Sequence, residues 1–538
     1  MIRCVLFLLA LAFASAAGAS ADAPVAQTST GRVLGATAGG IEVFRGVPYA
    51  APPVGNLRWR PPQPPAKWGG VRDATAFGAS CPQSLDSPMM MVGPLVKIGE
   101  DCLTLNVWTP ATDTGRRPVM LWIHGGGFFT GAGSEKQFDG IPYAERGVVL
   151  VTVNYRLGRL GFFAHPALKA VAGEPRGNYG LMDVLAALRW VRDNIASFGG
   201  DPGNVTIFGE SAGGIAVADL MVSPMAQGLF QKAIIESGAF PRPMRDIATD
   251  RPGAPSEQTL GRAFAEGLGI GGNDPAAALR ALPVEKIAPG APDELGQIQA
   301  MASPMVDGAM LPDDVFLRYA KGEITKVPLL IGSTGAEALV WAFGRDGKMA
   351  TYPLLPFDPV RFRSAFGSDA DRVMAAYGAR YGGDMANAGP ILATDMAVGA
   401  ASRYFADRAA AAGCPTFLYH FSAIPTPLRG LTPGAPHGTE IPYVFGTLAK
   451  LRNVGGGMTE SDLALSRTVI AYWVSFAKTG NPNGAGRLSW PPRSGKDGAF
   501  LDFTDQGPVA AADDPITAIF EQRIAAGLAA PAPTGKTQ

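Results

Sequence analysis

Ser211 stands between Gly209 and Gly213 in VTIFGESAGG (205–214). The order Gly-x-Ser-x-Gly suits a nucleophile on a sharp strand-to-helix turn, with its hydroxyl held clear of the backbone. A serine hydroxyl is a weak nucleophile at neutral pH. It needs a base within hydrogen-bond reach, an acid that orients the base, and fixed N–H donors for the oxyanion. The pattern alone has little weight, because glycine supplies 69 of 538 residues. Composition by itself yields about 0.4 such matches in a chain of this kind. The partners must decide.

The donors are expected from HGGGF (124–128), which ends the apolar run PVMLWIH (118–124). Gly126 and Gly127, with the N–H of Ala212, form the expected oxyanion hole. A plain glycine turn is the alternative; the strand before it and Ser211 in the same chain weigh against that. The chain has four histidines. His124 belongs to the glycine turn. His165 precedes Ser211, against the order serine, acid, histidine of this kind of site. His420 lies inside the alternating run TFLYHFS (416–422). His437, in the loop GAPHGTEIPYVFG (434–446), is the expected base. The acid stays open on residues alone. Asp307 in VDGAMLP reads as a turn, and Glu337 follows the strand-like VPLLIG (327–332). Most glutamates near helix starts are caps or solvated.

These groups need a scaffold that brings distant loops to one edge. VVLVTVNY (148–155), VTIF (205–208), KAIIESG (232–238) and VPLLIG read as buried strands. LMDVLAALRWVRDNIASF (181–198) and the run after Ser211 have helical spacing. Alternating strands and helices predict an α/β fold with a large, mostly parallel central sheet flanked by helices and long wrapping loops. Sites in such sheets form at the C-terminal strand ends.

Bulk properties exclude some functions. Lys+Arg and Asp+Glu both total 46, so no basic surplus points to nucleic acid. With 47% hydrophobic residues the chain can bury a large core. Arg3, the apolar run Val5 to Ala17 and the small residues after it read as a signal peptide, residues 1–21, cleaved near Ala19 or Ala21. A spanning helix would need about 20 apolar residues, so export without stable membrane insertion is expected. Residues 22–524 read as one catalytic domain and 525–538 as a flexible tail. Cleavage leaves Cys81, Cys102 and Cys414, which allow three single bridges; Cys81 and Cys102 are the natural pair. No Cys-x-x-Cys or paired-histidine spacing suggests a metal, and no cofactor is implied. Oligomeric state is not legible.

The motifs together resemble the type-B carboxylesterase/lipase family of the α/β-hydrolase fold, which includes cholinesterases and bacterial para-nitrobenzyl esterases. FRGVPYAAPPVGNLRWRPP (44–62), EDCLTLNVW (100–108), HGGGF, VNYRLGRLGFF (153–163), GNYGLMD (177–183), FGGDPGNVTIFGESAGG (198–214), HGTEIPYVFG (437–446) and YWVSFAKTGNPN (472–483) follow in family order. The resemblance implies hydrolysis of a small carboxylic ester through an acyl-enzyme. It implies nucleophile Ser211, acid Glu337 and base His437, and oxyanion donors Gly126, Gly127 and Ala212. It also implies a Cys81–Cys102 disulfide, salt bridges Arg58–Glu100 and Arg156–Asp183, and polar Glu210 and Ser237 near the triad. Departures exist: Thr334, Ala336 and Ala338 replace usual residues around the acid, and Val184 and Glu236 stand where glutamine is usual. Cys81 to Cys102 carries Met89, Met90 and Met91 but no Trp, which predicts no preference for choline esters. An interfacial lipase, an esterase for a bulky or xenobiotic ester, and a non-catalytic binding homologue are the rival readings.

Overall fold

Continuous apolar runs such as VLVTV (Val149–Val153) and KAIIE (Lys232–Glu236) are buried along their whole length. Strands covered on both faces pair in parallel, because their crossovers lay helices over both sides. In the computed structural model, which describes residues 23–529 apart from 84–96, 169–175, 242–243, 252–253, 289–302, 344–348, 452–456 and 495–497, seven parallel strands lie side by side. Their order is Val149–Val153, Arg117–Ile123, Gly200–Glu210, Lys232–Glu236, Leu329–Thr334, Thr416–Phe421, Ala499–Thr504. Antiparallel strands extend both edges: Thr104–Thr109, Ile41–Pro48 and Ala36–Ala38 on one side, Gly507–Ala512 on the other. These eleven strands make one large mixed sheet.

Alternate residues of each strand feed two cores. Val119, Leu121 and Ile123 pack on one face with the helices Tyr179–Asn194 and Ala212–Val222. Met120 and Trp122 face the other way, toward Trp473 and Phe476 of the helix Glu460–Thr479. The strand after Asp201 is longer than VTIF alone, because Gly200 pairs with Arg117 before the main register begins at Val205. A separate small sheet joins Met349–Pro353, Ala336–Phe343 and Pro436–His437, with Ala336 opposite Pro436 and Val340 opposite His437.

The expected staples are present. Cys81 and Cys102 form a disulfide and Cys414 is free and buried. Arg156 makes a bidentate, fully buried pair with Asp183 at 2.7 and 2.8 Å, and Arg58 pairs with Glu100. The signal-peptide segment and Met89 to Met91 lie outside the described residues. The segment read as a tail begins inside a helix, Ala518–Ala529, whose Phe520 and Ile524 pack on neighbouring helices. Among the described residues no helix is long and apolar enough to cross a membrane.

Candidate active site

Ser211 joins the strand Gly200–Glu210 to the helix Ala212–Val222 with φ 56° and ψ −122°. A non-glycine residue held there costs about 1–3 kcal/mol. Packing around the turn over-determines it. A Cβ on Gly209 would sit 2.6 Å from the Gly213 carbonyl carbon, and one on Gly213 would overlap the Ile123 carbonyl. Only glycine at both positions lets strand and helix close on each other, so the spacing Gly-x-Ser-x-Gly is a steric requirement here. The Ser211 N–H donates to the Glu236 carbonyl at 2.9 Å. Its hydroxyl makes no hydrogen bond among the described residues.

The glycine turn faces the same point. Gly126 and Gly127 have φ +98° and +63°, which favour glycine, and a Cβ on Gly126 would overlap the Thr130 carbonyl. The turn is closed by N–H donation from Phe129 and Thr130 to the Gly126 carbonyl at 3.1 and 3.0 Å. Gln83 braces it, accepting from the Thr130 hydroxyl and the Gly131 N–H, each at 2.8 Å. Gln83 is two residues from Cys81, so the disulfide anchors the brace. A Cβ on Gly125 would lie 3.2 Å from the Ser211 Cβ, which places the turn against the serine. Among the described residues the N–H groups of Gly126, Gly127 and Ala212 donate to no protein acceptor. Amides clustered in this way are free to donate to water or to an anion that displaces it.

His437 and Glu337 come from adjoining strands of the small sheet. His437 Nδ1 hydrogen-bonds to Glu337 Oε2. Glu337 Oε1 accepts from the Ser237 hydroxyl at 2.5 Å and from the Thr334 N–H at 2.6 Å. Burial opposes the charge of Glu337, but His437 and these donors outweigh it and hold its pKa below the ordinary carboxylate value. His437 Nε2 lies 3.2 Å from Glu210 Oε1. Burial works against the imidazolium, yet Glu210 and Glu337 on its two sides push the His437 pKa up to about 10. Burial in turn pushes Glu210 up to about 8 against the pull of His437. Glu210 therefore acts on the imidazole through its charge, without a hydrogen bond from Nε2.

The structure therefore brings Ser211, His437, Glu337 and the glycine turn together around Glu210. Ser237 is beside the triad as the resemblance implies, and two further buried acids, Glu440 and Glu236, join it. Ser237, with φ 49°, has its Oγ 3.1 Å from Glu440 Oε1 as well as 2.5 Å from Glu337. One hydroxyl proton serves one carboxylate. Glu440, raised to about 8 by burial and by Glu337 and Glu236, carries the second proton. Glu236 is likewise raised to about 8 by burial and accepts from Trp473 Nε1 at 2.7 Å. The signal for Glu440 is a lone acid immediately before the apolar run IPYVF (441–445), three residues past His437. His124 is buried with its pKa lowered to about 4 by burial, and His420 pairs with Asp502 away from this cluster; Asp307 serves Asn178 at 2.9 Å. Among the described residues no cluster of ligands is arranged to hold a metal.

The profile of the Carboxylesterase family matches residues 22–515. The chain is 37% identical to the para-nitrobenzyl esterase of Bacillus subtilis (strain 168) over 478 residues, covering 87% of this chain and 92% of that protein. It is 36% identical to the fumonisin B1 esterase of Sphingopyxis macrogoltabida over 500 residues, covering 90% of this chain and 86% of that protein. A solved structure of PNB esterase superimposes with a TM-score of 0.76 at 34% identity, covering 93% of this chain and 99% of that one.

Proposed function

The chain belongs to the carboxylesterase family and is a serine carboxylic ester hydrolase, and from that premise we propose that Ser211, His437 and Glu337 carry the reaction. The Ser211 hydroxyl attacks the ester carbonyl while His437 Nε2 takes its proton. The carbonyl oxygen becomes an anion that the amides of Gly126, Gly127 and Ala212 receive. His437 then gives its proton to the leaving alcohol. In the second half a water takes the alcohol's place, gives its proton to His437 and attacks the acyl carbon; the acyl–Ser211 bond then breaks, His437 returns the proton to the Ser211 oxygen, and the acid leaves. Glu337 fixes the imidazole tautomer and balances its charge. The base is ready when His437 Nε2 carries no proton.

One observation supports this reading: a strained serine follows Glu210 in the chain, the glycine turn packs against both residues, and His437, paired with Glu337, points its Nε2 at Glu210 from 3.2 Å. Each feature costs stability where it stands, and acyl transfer is the chemistry that uses all of them. The retained triad also argues against a non-catalytic binding homologue. Pre-steady-state hydrolysis of p-nitrophenyl acetate tests it. Wild type gives a burst of p-nitrophenol equal to the enzyme, and Ser211→Ala gives none. Equal turnover by both would end the proposal.

Export is part of the same reading. The Cys81–Cys102 disulfide supports an oxidising compartment. Secretion from a native host should yield a mature N-terminus near residue 20 or 22; an intact Met1 in the exported protein would contradict signal cleavage.

A further inference from the structure

Glu337 stands between two alanines, Ala336 and Ala338, and all three are buried. Neither neighbour brings a polar side chain to hold the acid, and the Thr334 hydroxyl has no partner among the described residues. The position of Glu337 therefore depends on its own strand, Ala336–Phe343. That strand is irregular beside the acid. It pairs with the His437 strand at Ala336–Pro436 and again at Val340–His437, so four steps along one strand match one step along the other. Between the two pairings the ladder is broken, and Glu337 and Ala338 lie in the break.

A broken ladder leaves a buried N–H in need of another acceptor. The Ala338 N–H donates to Thr394 Oγ1 at 3.0 Å. The Thr394 hydroxyl donates in turn to the Pro390 carbonyl, one turn back on its own helix, at 2.8 Å, which fixes its orientation. Thr394 is buried, so no bulk water competes for these bonds. The Ala338 carbonyl is held too, accepting from the Leu354 and Leu355 N–H groups at 2.7 and 3.1 Å. Thr394 ends the helix Met385–Thr394, and a single π turn, Asp395–Gly399, follows before the helix Ala400–Ala411. Such turns recur at functional sites. Asp395 anchors this one by accepting from the Tyr377 hydroxyl at 2.7 Å. Ile391 and Leu392 pack the preceding helix into one cluster with Ala336. An anchored helix end thus supplies a hydrogen bond that the strand pairing omits beside the acid.

We propose that Thr394 is a positioning residue for the reaction: through the Ala338 N–H its hydroxyl holds the strand that carries Glu337, and so keeps the carboxylate aligned with His437 Nδ1. This rests on the reading of Glu337 and His437 as acid and base given above. Thr394 itself touches neither the substrate nor the reacting atoms. Without its hydroxyl the broken stretch relaxes, the carboxylate drifts from the ring, and the imidazolium loses support. The reaction slows, and the base gives up its proton at lower pH.

The test compares Thr394→Val, which keeps the shape without the hydroxyl, with Thr394→Ser, which keeps the hydroxyl, in the full-length enzyme on p-nitrophenyl acetate. Thr394→Val should lower kcat by about tenfold to a hundredfold, with KM within about twofold of wild type. The acid limb of its kcat/KM profile should move to lower pH by about half a unit or more. Thr394→Ser should return both to wild type within about twofold. Placed on Glu337→Gln, Thr394→Val should lower kcat by less than about twofold more, because its effect travels through the carboxylate. A further loss of about tenfold there would mean general loosening and overturn the inference. A folded Thr394→Val with wild-type kcat and profile, or a Thr394→Ser as slow as Thr394→Val, would overturn it too. If Thr394→Val does not fold, Thr394→Cys, of similar size with a weaker acceptor, takes its place: a kcat about tenfold below that of Thr394→Ser supports the inference, and an equal one overturns it. Wild-type kcat in Glu337→Gln alone would remove the acid reading beneath the inference, and the inference with it.

Discussion

The two halves of the site are built from different materials. The Ser211 half is backbone: a strained turn, glycines that no side chain could replace, and amides left without acceptors. The His437 half is side chain: an imidazole flanked by Glu337 and Glu210, with Glu440 and Glu236 buried behind them. Backbone geometry is positioned once, at folding, and does not change with pH. The carboxyl cluster is positioned by protons as well as by packing. In the proposed mechanism the first half sets how well the oxyanion is held, and the second sets the pH at which the base is free.

Substitutions that attack each half should separate these roles. The largest effect is expected from Glu337→Gln. An amide there keeps the shape but favours the wrong imidazole tautomer, and kcat should fall about 10⁴-fold. Retention of a tenth of wild-type kcat would mean that another group orients His437. Gly126→Ala drives a methyl into the Thr130 carbonyl and displaces an amide donor. A loss of about 10² to 10³ in kcat is expected, with the pH profile unmoved. A shifted profile would blur the division between the halves.

Removing the disulfide with Cys81→Ala and Cys102→Ala should cost about 3 kcal/mol in chemical unfolding. Because Gln83 braces the glycine turn from beside Cys81, kcat should fall as well, by a smaller factor than for Gly126→Ala. Unchanged kcat would show that the turn holds without its brace.

The carboxyl half answers to pH. A carboxylate near His437 Nε2 holds the proton on the ring, so activity is lost as pH falls through the raised pKa. Glu210→Gln takes one carboxylate away. The imidazole pKa then drops, and the acid limb of the kcat/KM profile should move to lower pH by about one unit or more. A limb that stays in place would show that the charge of Glu210 does not act on the ring. The smallest effect belongs to Glu440→Gln. Glutamine still offers a donor to the Ser237 oxygen, so kcat at neutral pH should change less than about threefold. A loss of about a hundredfold would mean that Glu440 acts as an anion.

The same division explains what was legible in the sequence. Ser211, Gly209, Gly213 and the HGGG turn are local: their spacing is set by clashes within a few residues, and the reading found them directly. His437 followed from elimination among four histidines. Glu337 needed the family resemblance, because nothing local tells a triad acid from a capping glutamate. Glu440 was missed because its partner Ser237 lies 203 residues away. The central strands were read from their apolar runs, while the start of Gly200–Glu210 was not, since pairing with Arg117 extends it beyond its own apolar residues. The last helical residues, 525–529, fall within the segment expected as a tail, because their small side chains carry no signal of their own; Phe520 and Ile524, just upstream, pack the helix Ala518–Ala529.

The central claim is that the hydroxyl of Ser211 is the activated one. It is tested most directly by reacting the enzyme with a fluorophosphonate ester and mapping the adduct by peptide mass spectrometry. One phosphonyl group per chain, on Ser211, formed in step with loss of esterase activity, is the predicted result. Full loss of activity with the adduct on another residue, or retained activity with Ser211 modified, would contradict it.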